Sequence, residues 1–250
     1  MSTAEPWTAK HRPLSTKEVV GNASSVRRVH EWLLRWEEDG KAILLHGPPG
    51  VGKTASVEAA ANELGYNILE MNASDVRTEE QIIELVWPAV SSRSLSGKRR
   101  LILFDEVDGI YGRSDSGGLA ALLKILSSGS VPVAMTANDP WGDELRTLRG
   151  KAEMVEFRRV SPQDVAKRLR EICGLEGVSI DGESLLELAE ASGGDVRSAI
   201  EDLQASLMGG EMGAQFGTRQ RRERLFETLN GIFRATTVEG AGRRLGDSCA

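Results

Sequence analysis

Three things that commonly decide a fold are scarce in this sequence. Cysteine occurs only twice, at Cys173 and Cys249. The two lie far apart with no His or Cys at metal-ligand spacing, which excludes a disulfide scaffold and a zinc ribbon. Apolar residues nowhere run on for the ~18 positions that a membrane-crossing helix needs. The start, Met1 to Arg12, is polar and lacks an apolar stretch behind a basic head. The sequence therefore reads as neither membrane-spanning nor secreted, and a reducing cytoplasm is the expected setting. Aromatic residues are few: five Trp, two Tyr and five Phe stand against 27 Gly. Positive charge is not in excess either. A net charge of -6 argues against coating nucleic acid by bulk electrostatics and leaves room only for a local basic face.

What is present is a globular composition. The 250 residues are 40% hydrophobic and 27% charged, enough for one large or two ordinary domains whose core needs no covalent staples. Glycine at this density has backbone work to do, and its clusters should mark function.

The first strand-like block, Ala42 to His46, runs into Gly47-Pro48-Pro49-Gly50-Val51-Gly52-Lys53-Thr54 and then an Ala-rich helical stretch to Leu64. Further short apolar runs follow at Tyr66 to Met71, Leu101 to Phe104, Val131 to Thr136 and Met154 to Phe157. Segments of helical period separate them, such as Glu79 to Val90 and Leu119 to Ser127. Continuous apolar strands alternating with helices predict an α/β fold: a buried parallel sheet with helices on both faces. After Phe157 the pattern is helical only. Ser161-Pro162-Gln163-Asp164 is a helix start with a capping Ser and Pro at the first position. Glu183 to Ala191 forms a second helix, and Asp195 caps a third from Val196 to Leu207. This predicts an α/β domain over 1–158, a small helical domain over 159–208, and a glycine-rich linker with further helical sequence over 209–250.

Gly47 to Thr54 matches G-x-x-x-x-G-K-[ST] between a predicted strand and a predicted helix, the context that gives the motif its meaning. Gly47, Gly50 and Gly52 let the backbone turn its N–H groups toward phosphate oxygens, and the helix adds its positive dipole end. Lys53 is placed to neutralise the β and γ phosphates, and Thr54 to bind magnesium through its hydroxyl. Asp105 and Glu106 end a buried strand. Asp105 is the candidate magnesium ligand and Glu106 the base that orients and deprotonates water; the alternative is that the paired acids only cap a helix. Asn138, at the tip of the strand ending in Thr136, can hydrogen-bond the γ-phosphate or the attacking water. Asn138-Asp139-Pro140 is equally a plain turn signal. Arg197 lies in the first turn of a helix, where a cation opposes the dipole and wants an anion from elsewhere; a surface arginine is the simpler reading.

These four elements in this order resemble an AAA+ ATPase, with Walker A, Walker B, a sensor 1 at Asn138 and a sensor 2 at Arg197 on a helical lid. Within that superfamily, Pro6 to Pro13 followed by Val19-Val20-Gly21-Asn22 resembles the segment with which replication factor C subunits, the archaeal and eukaryotic clamp loaders, wrap adenine. Phe104 to Ile110, then Asp115 and Gly117-Gly118, is similar to the archaeal large-subunit branch. The resemblance implies ATP and Mg2+ as cofactors, and Arg12, Pro13, Val19 and Val20 beside the base together with the loop Gly47, Pro48, Pro49, Gly50, Val51, Gly52, Lys53 and Thr54. It implies a heteropentamer with clamp-loader small subunits that opens a sliding clamp and closes it on primer-template DNA.

Small subunits of the family carry a Ser-Arg-Cys motif that supplies an arginine to a neighbour. Here the corresponding stretch reads Leu148-Arg149-Gly150-Lys151-Ala152, so the chain is expected to receive such an arginine without donating one. Family large subunits continue through a helical collar, and the resemblance implies that a chain ending at Ala250 is either a fragment of a longer protein or a truncated gene product. Competing functions are another AAA+ DNA-processing ATPase and an ATP-switched scaffold module without catalysis. The basic run Lys98-Arg99-Arg100 reads as a solvated loop, while Arg77, Arg93 and Lys124 are candidates for phosphate-backbone contact.

Overall fold

The computed structural model describes residues 5–72, 99–111 and 117–208, together with Glu84 and Val86. Five strands are described: β1 (Ala42–His46), β2 (Asn67–Asn72), β3 (Arg100–Asp105), β4 (Val133–Ala137) and β5 (Ala152–Glu156). They form one sheet in the order β2-β3-β4-β1-β5, and every pairing is parallel. The expected α/β fold is thus present, with strand ends within two residues of those read from the sequence. Of the helical run expected over Glu79 to Val90, only Glu84 and Val86 lie within the described residues, and both are helical.

The near-continuous apolar strands follow from burial on both faces. On one face Leu44, Ile102, Phe104 and Met135 pack with Ala121, Leu122 and Ile125. Those last three lie on the helix Gly117–Ser128. Neighbours of opposite parity, Ile43, Leu45, Leu101 and Leu103, are also fully buried, and alternation along a strand puts them on the other face. The helix α3 (Lys53–Glu63) contacts β2, β3 and β4, and its buried Ala59, Ala60 and Ala61 let its backbone come close. α2 (Ala23–Asp39) packs on α3 and β5 through Val26, Val29, Trp32 and Leu33, all buried at the spacing of one helix face.

Numbering the remaining helices in chain order gives α1 (Trp7–Lys10), α4 (Gly117–Ser128), α5 (Arg146–Lys151), α6 (Pro162–Glu176), α7 (Gly182–Ala191) and α8 (Val196–Met208). Local chemistry sets the starts of the last three. Ser161 Oγ accepts from Asp164 N at 3.1 Å and donates to its carboxylate at 2.8 Å, with Pro162 opening α6. Asp181 and Asp195 accept from Ser184 N and Ser198 N, each at 2.9 Å. Residues 1–204 make one compact unit; a second, 205–250, lies outside the described residues after Met208. No helix among the described residues is long and apolar enough to cross a membrane.

Gly47 shows how tightly the phosphate loop sits on the sheet. Its φ is +141°, and a Cβ there would stand 2.0 Å from the Phe157 carbonyl oxygen, which is backbone and cannot swing away. Gly150, within α5, has nothing within 4 Å of such a Cβ. Gly47→Ala should therefore destabilise the chain by at least about 1 kcal/mol, whereas Gly150→Ala should stabilise it by up to about 1 kcal/mol. Denaturant midpoints of the two variants check both signs.

Candidate functional site

Parallel order brings the carboxyl ends of β1, β4 and β3 side by side, and the connection leaving β1 runs toward the β2 edge of the sheet while that leaving its neighbour β4 runs toward the β5 edge. A crevice outside such a point is where open α/β sheets bind ligands. A cavity of about 360 Å³ lies there. Its floor is the loop after β1 and the start of α3, its side the ends of β3 and β4, and its roof residues from the N-terminal segment, α6 and α8.

Lys53, the first residue of α3, is buried. Its Nζ donates to the carbonyls of Gly47 (2.7 Å) and Pro48 (2.8 Å) and to Asn138 Oδ1 (3.0 Å). Burial lowers its pKa, against the pull of Asp105, Asp108 and Glu106. Asp105 Oδ1 accepts from Thr54 Oγ1 at 2.8 Å and from Thr136 Oγ1 at 2.5 Å. Thr136 Oγ1 in turn accepts from the Glu106 N–H at 3.0 Å. Glu106 is exposed and has φ +56°, an uncommon conformation for a residue with a Cβ; the Thr136 bond helps hold it.

The helical end of the cavity is fixed by close approach. Val196 N donates to Gly50 O at 3.0 Å, and a Cβ on Gly50 would fall 1.7 Å from Asp195 Oδ1. Only glycine lets the capped start of α8 seat on the loop this way. Arg197, in the first turn of α8, is exposed and lines the cavity. The N-terminal segment is clipped to the same helices. Trp7 N donates to Gln204 Oε1 at 2.8 Å, Lys10 and His11 meet Glu176 at 2.7 and 2.5 Å, and Arg168 donates to His11 O at 2.9 Å. Hydrogen bonds from Lys10 and His11 hold the Glu176 carboxyl below its usual range. Asn22, itself at φ +48°, donates to Val51 O (3.4 Å) and Arg158 O (2.8 Å) and accepts from Arg158 N (2.9 Å), tying the segment to the phosphate loop and the exit of β5.

Of the residues singled out in the sequence, Arg12, Pro13, Val19, Val20, Pro49, Gly50, Gly52, Lys53, Thr54, Asp105, Glu106, Asn138 and Arg197 all line this cavity. Gly47, Pro48 and Val51 are not among its lining residues. The Gly47 N–H donates to Ala137 O, and Val51 is buried. Sequence reasoning missed Thr136, whose only signal is a hydroxyl in the otherwise apolar strand Val133–Ala137. It also missed Asn22 as a tie between segments, and Glu58, a carboxylate on the inner face of α3. Arg149 is occupied locally: Nη1 donates to Pro140 O and, at 2.8 Å, to Gly142 O, with its guanidinium 5.5 Å from the Trp141 ring centre.

A nucleotide with its cation fits these residues. The cavity offers a buried ammonium, the first N–H groups of α3 that no helical carbonyl can satisfy, and a hydroxyl and carboxylate in contact at Thr54 and Asp105, hard oxygen donors of the kind magnesium takes. Among the described residues no three or more His, Cys, Asp or Glu side chains gather as a metal site, so a cation here would draw further ligands from phosphate and water.

Comparison with known proteins agrees with that chemistry. Residues 43–158 match the ATPase family associated with various cellular activities (AAA). The chain is similar to the replication factor C large subunit of Thermofilum pendens, with 39% identity over 94% of this chain and 59% of that protein. It is likewise similar to the large subunits of Natronomonas pharaonis, at 40% over 94% and 49%, and Staphylothermus marinus, at 45% over 82% and 49%. The chain thus spans about half to three-fifths of the length of these relatives.

Glu58 yields a pH test. One of its oxygens meets Arg12; the other is buried with no hydrogen-bond partner among the described residues. Burial, offset by Arg12, pushes its pKa up from 4.5 to about 7. The folded chain therefore binds this proton more tightly than the unfolded chain. The resulting stability is present below about pH 4.5 and lost as pH rises through about 7. Glu58→Gln should remove that slope and raise the nucleotide-free stability at pH 8, as read from urea midpoints between pH 5 and 8.

Proposed function

We infer that this chain, which carries the AAA-family ATPase domain in residues 43–158, binds ATP with magnesium and hydrolyses it as a subunit of a clamp loader. The observation that carries the reading is the convergence of Lys53, Thr54, Asp105, Glu106 and Asn138 on one cavity through the hydrogen bonds just described. The turn at Gly50 and Gly52 and the start of α3 would take the phosphates, and Lys53 would exchange its carbonyl partners for phosphate oxygens. Arg12, Pro13, Val19 and Val20 would flank the adenine. Thr54 and Asp105 would hold magnesium, which when bound neutralises charge on the phosphate oxygens. Glu106 would orient the attacking water and accept its proton. Asn138 and Arg197 would contact the γ-phosphate from opposite sides, so that nucleotide bridges the sheet to α8.

On this reading residues 1–158 form the nucleotide-binding domain, 159–208 a helical lid, and 209–250 a linker into a collar. The similarity to replication factor C large subunits supports a place in a heteropentamer with small subunits, acting on a sliding clamp and primer-template DNA in the cytoplasm. Arg149, already held by two carbonyls, fits a subunit that receives an arginine in trans without giving one. Arg77, Arg93 and Lys98 lie outside the described residues. Arg99 pairs with Glu37 at 3.0 Å and stacks on Tyr66, so the backbone-contact proposal rests on Arg77, Arg93 and Lys124.

Two variants test the reading. Lys53→Ala should lose ATP binding. Glu106→Gln should keep it while turnover falls by about a hundredfold or more. Small subunits, clamp and primed DNA added together should stimulate the wild type. Clamp loading that survives the loss of turnover in Glu106→Gln would leave an ATP-switched module as the better account, wild-type turnover in that variant would remove Glu106 as the base, and no response to the three partners would remove the clamp-loader assignment.

A further inference from the structure

The end of β3 and the end of β4 have to stay in register for the site to exist, yet their ladder stops early. The β3–β4 pairing ends at Phe104↔Met135, while β4 continues beside β1 to His46↔Ala137. Beyond Met135, β4 therefore loses its neighbour on the β3 side, because the chain turns away at Glu106 into the short helix Val107–Tyr111. Asp108, in that turn, reaches back across the gap. Its Oδ2 accepts from the N–H of Asn138 at 2.9 Å and of Asp139 at 3.2 Å. A carboxylate taking two backbone N–H groups stands in for the missing strand, and such charge-assisted bonds are stronger than the ladder bonds they replace.

What is held in this way is the root of Asn138, whose Oδ1 meets the Lys53 ammonium. The other oxygen of Asp108 is buried and has no hydrogen-bond partner among the described residues. A carboxylate kept half bare costs desolvation free energy, which a role in plain folding stability does not explain. The loop beyond is also built from this anchor. Asp139 Oδ1 accepts from Trp141 N at 2.9 Å, and Arg149 closes the turn on the carbonyls of Pro140 and Gly142.

We propose that Asp108 is a positioning residue for ATP hydrolysis: it fixes the backbone of Asn138, and through it the aim of the Asn138 amide at Lys53 and the terminal phosphate. This rests on the ATPase reading above. Asp108 touches neither nucleotide nor water in this role. It acts by removing the freedom with which Asn138 would otherwise swing away from the cavity.

The test is a double-mutant cycle on the 250-residue chain, reading ATP turnover and the affinity for a non-hydrolysable ATP analogue. Asp108→Ala should lower kcat by about ten- to a hundredfold while the analogue Kd changes by less than about threefold. Asp108→Asn keeps an acceptor oxygen and should recover most of the rate. In an Asn138→Ala background, Asp108→Ala should cost nothing further, because the residue it positions is gone. Equal losses of rate in both backgrounds, or wild-type kcat for Asp108→Ala, would overturn the proposal. No turnover by the wild-type chain, either alone or with small subunits, clamp and primed DNA, would sink the ATPase reading alone. The positioning claim is then decided by hydrogen exchange: faster exchange at the Asn138 and Asp139 amides in Asp108→Ala, with unchanged circular dichroism, supports it. Unchanged exchange there refutes it.

Discussion

One carboxylate oxygen, Oδ1 of Asp105, accepts from the hydroxyls of Thr54 and Thr136, and the geometry of the site depends on that pair of hydrogen bonds. Thr54 belongs to the helix after the phosphate loop and Thr136 to β4, so three chain segments distant in sequence meet on a single acceptor. Thr136 then passes the constraint to Glu106 by accepting its N–H. A half-buried carboxylate at a strand end would be costly without such partners. With them it becomes the reference point from which the distances among Lys53, Glu106 and Asn138 are set. Because hydroxyls can reorient, the same pair can release Asp105 to a cation without moving the backbone.

A second constraint acts from the helical side. The phosphate loop accepts the N–H of Val196 and is packed against Asp195, so the loop and the start of α8 are one contact surface. The N-terminal segment closes over them through Trp7, Lys10 and His11. The roof of the cavity is thus tied by polar contacts at its rim, whereas the sheet beneath is held by fully buried apolar side chains. Polar rims open at lower free energy than apolar cores, so motion in this chain is expected between α6–α8 and the sheet. A nucleotide bridging Lys53 and Arg197 would report on that motion.

Much of this was legible in the sequence because it is local. Strand, glycine loop and helix are contiguous from Ala42 to Leu64; Asp105 and Glu106 simply end an apolar run; Ser161 and Asp195 cap helices through residues three positions on. What could not be read is what depends on register between distant segments. Thr136 meets Asp105 only because β4 lies beside β3 in the order β2-β3-β4-β1-β5, which alternation of strands and helices does not dictate. Asp108 meets Asn138 only because the ladder ends at Met135. The glycines divide in the same way. The sequence suggests a phosphate role for Gly47, Gly50 and Gly52, but the close approaches that require glycine at Gly47 and Gly50 are to Phe157 and Asp195, contacts across more than a hundred residues.

The central claim is that the crevice at the ends of β1, β3 and β4 is a magnesium–nucleotide site. Calorimetric titration of a non-hydrolysable ATP analogue into the chain, with and without Mg2+, tests it most directly. The account predicts saturable binding of one nucleotide per chain that tightens when magnesium is present and is lost in Lys53→Ala. Absence of saturable binding, or binding that persists undiminished in Lys53→Ala, would contradict it.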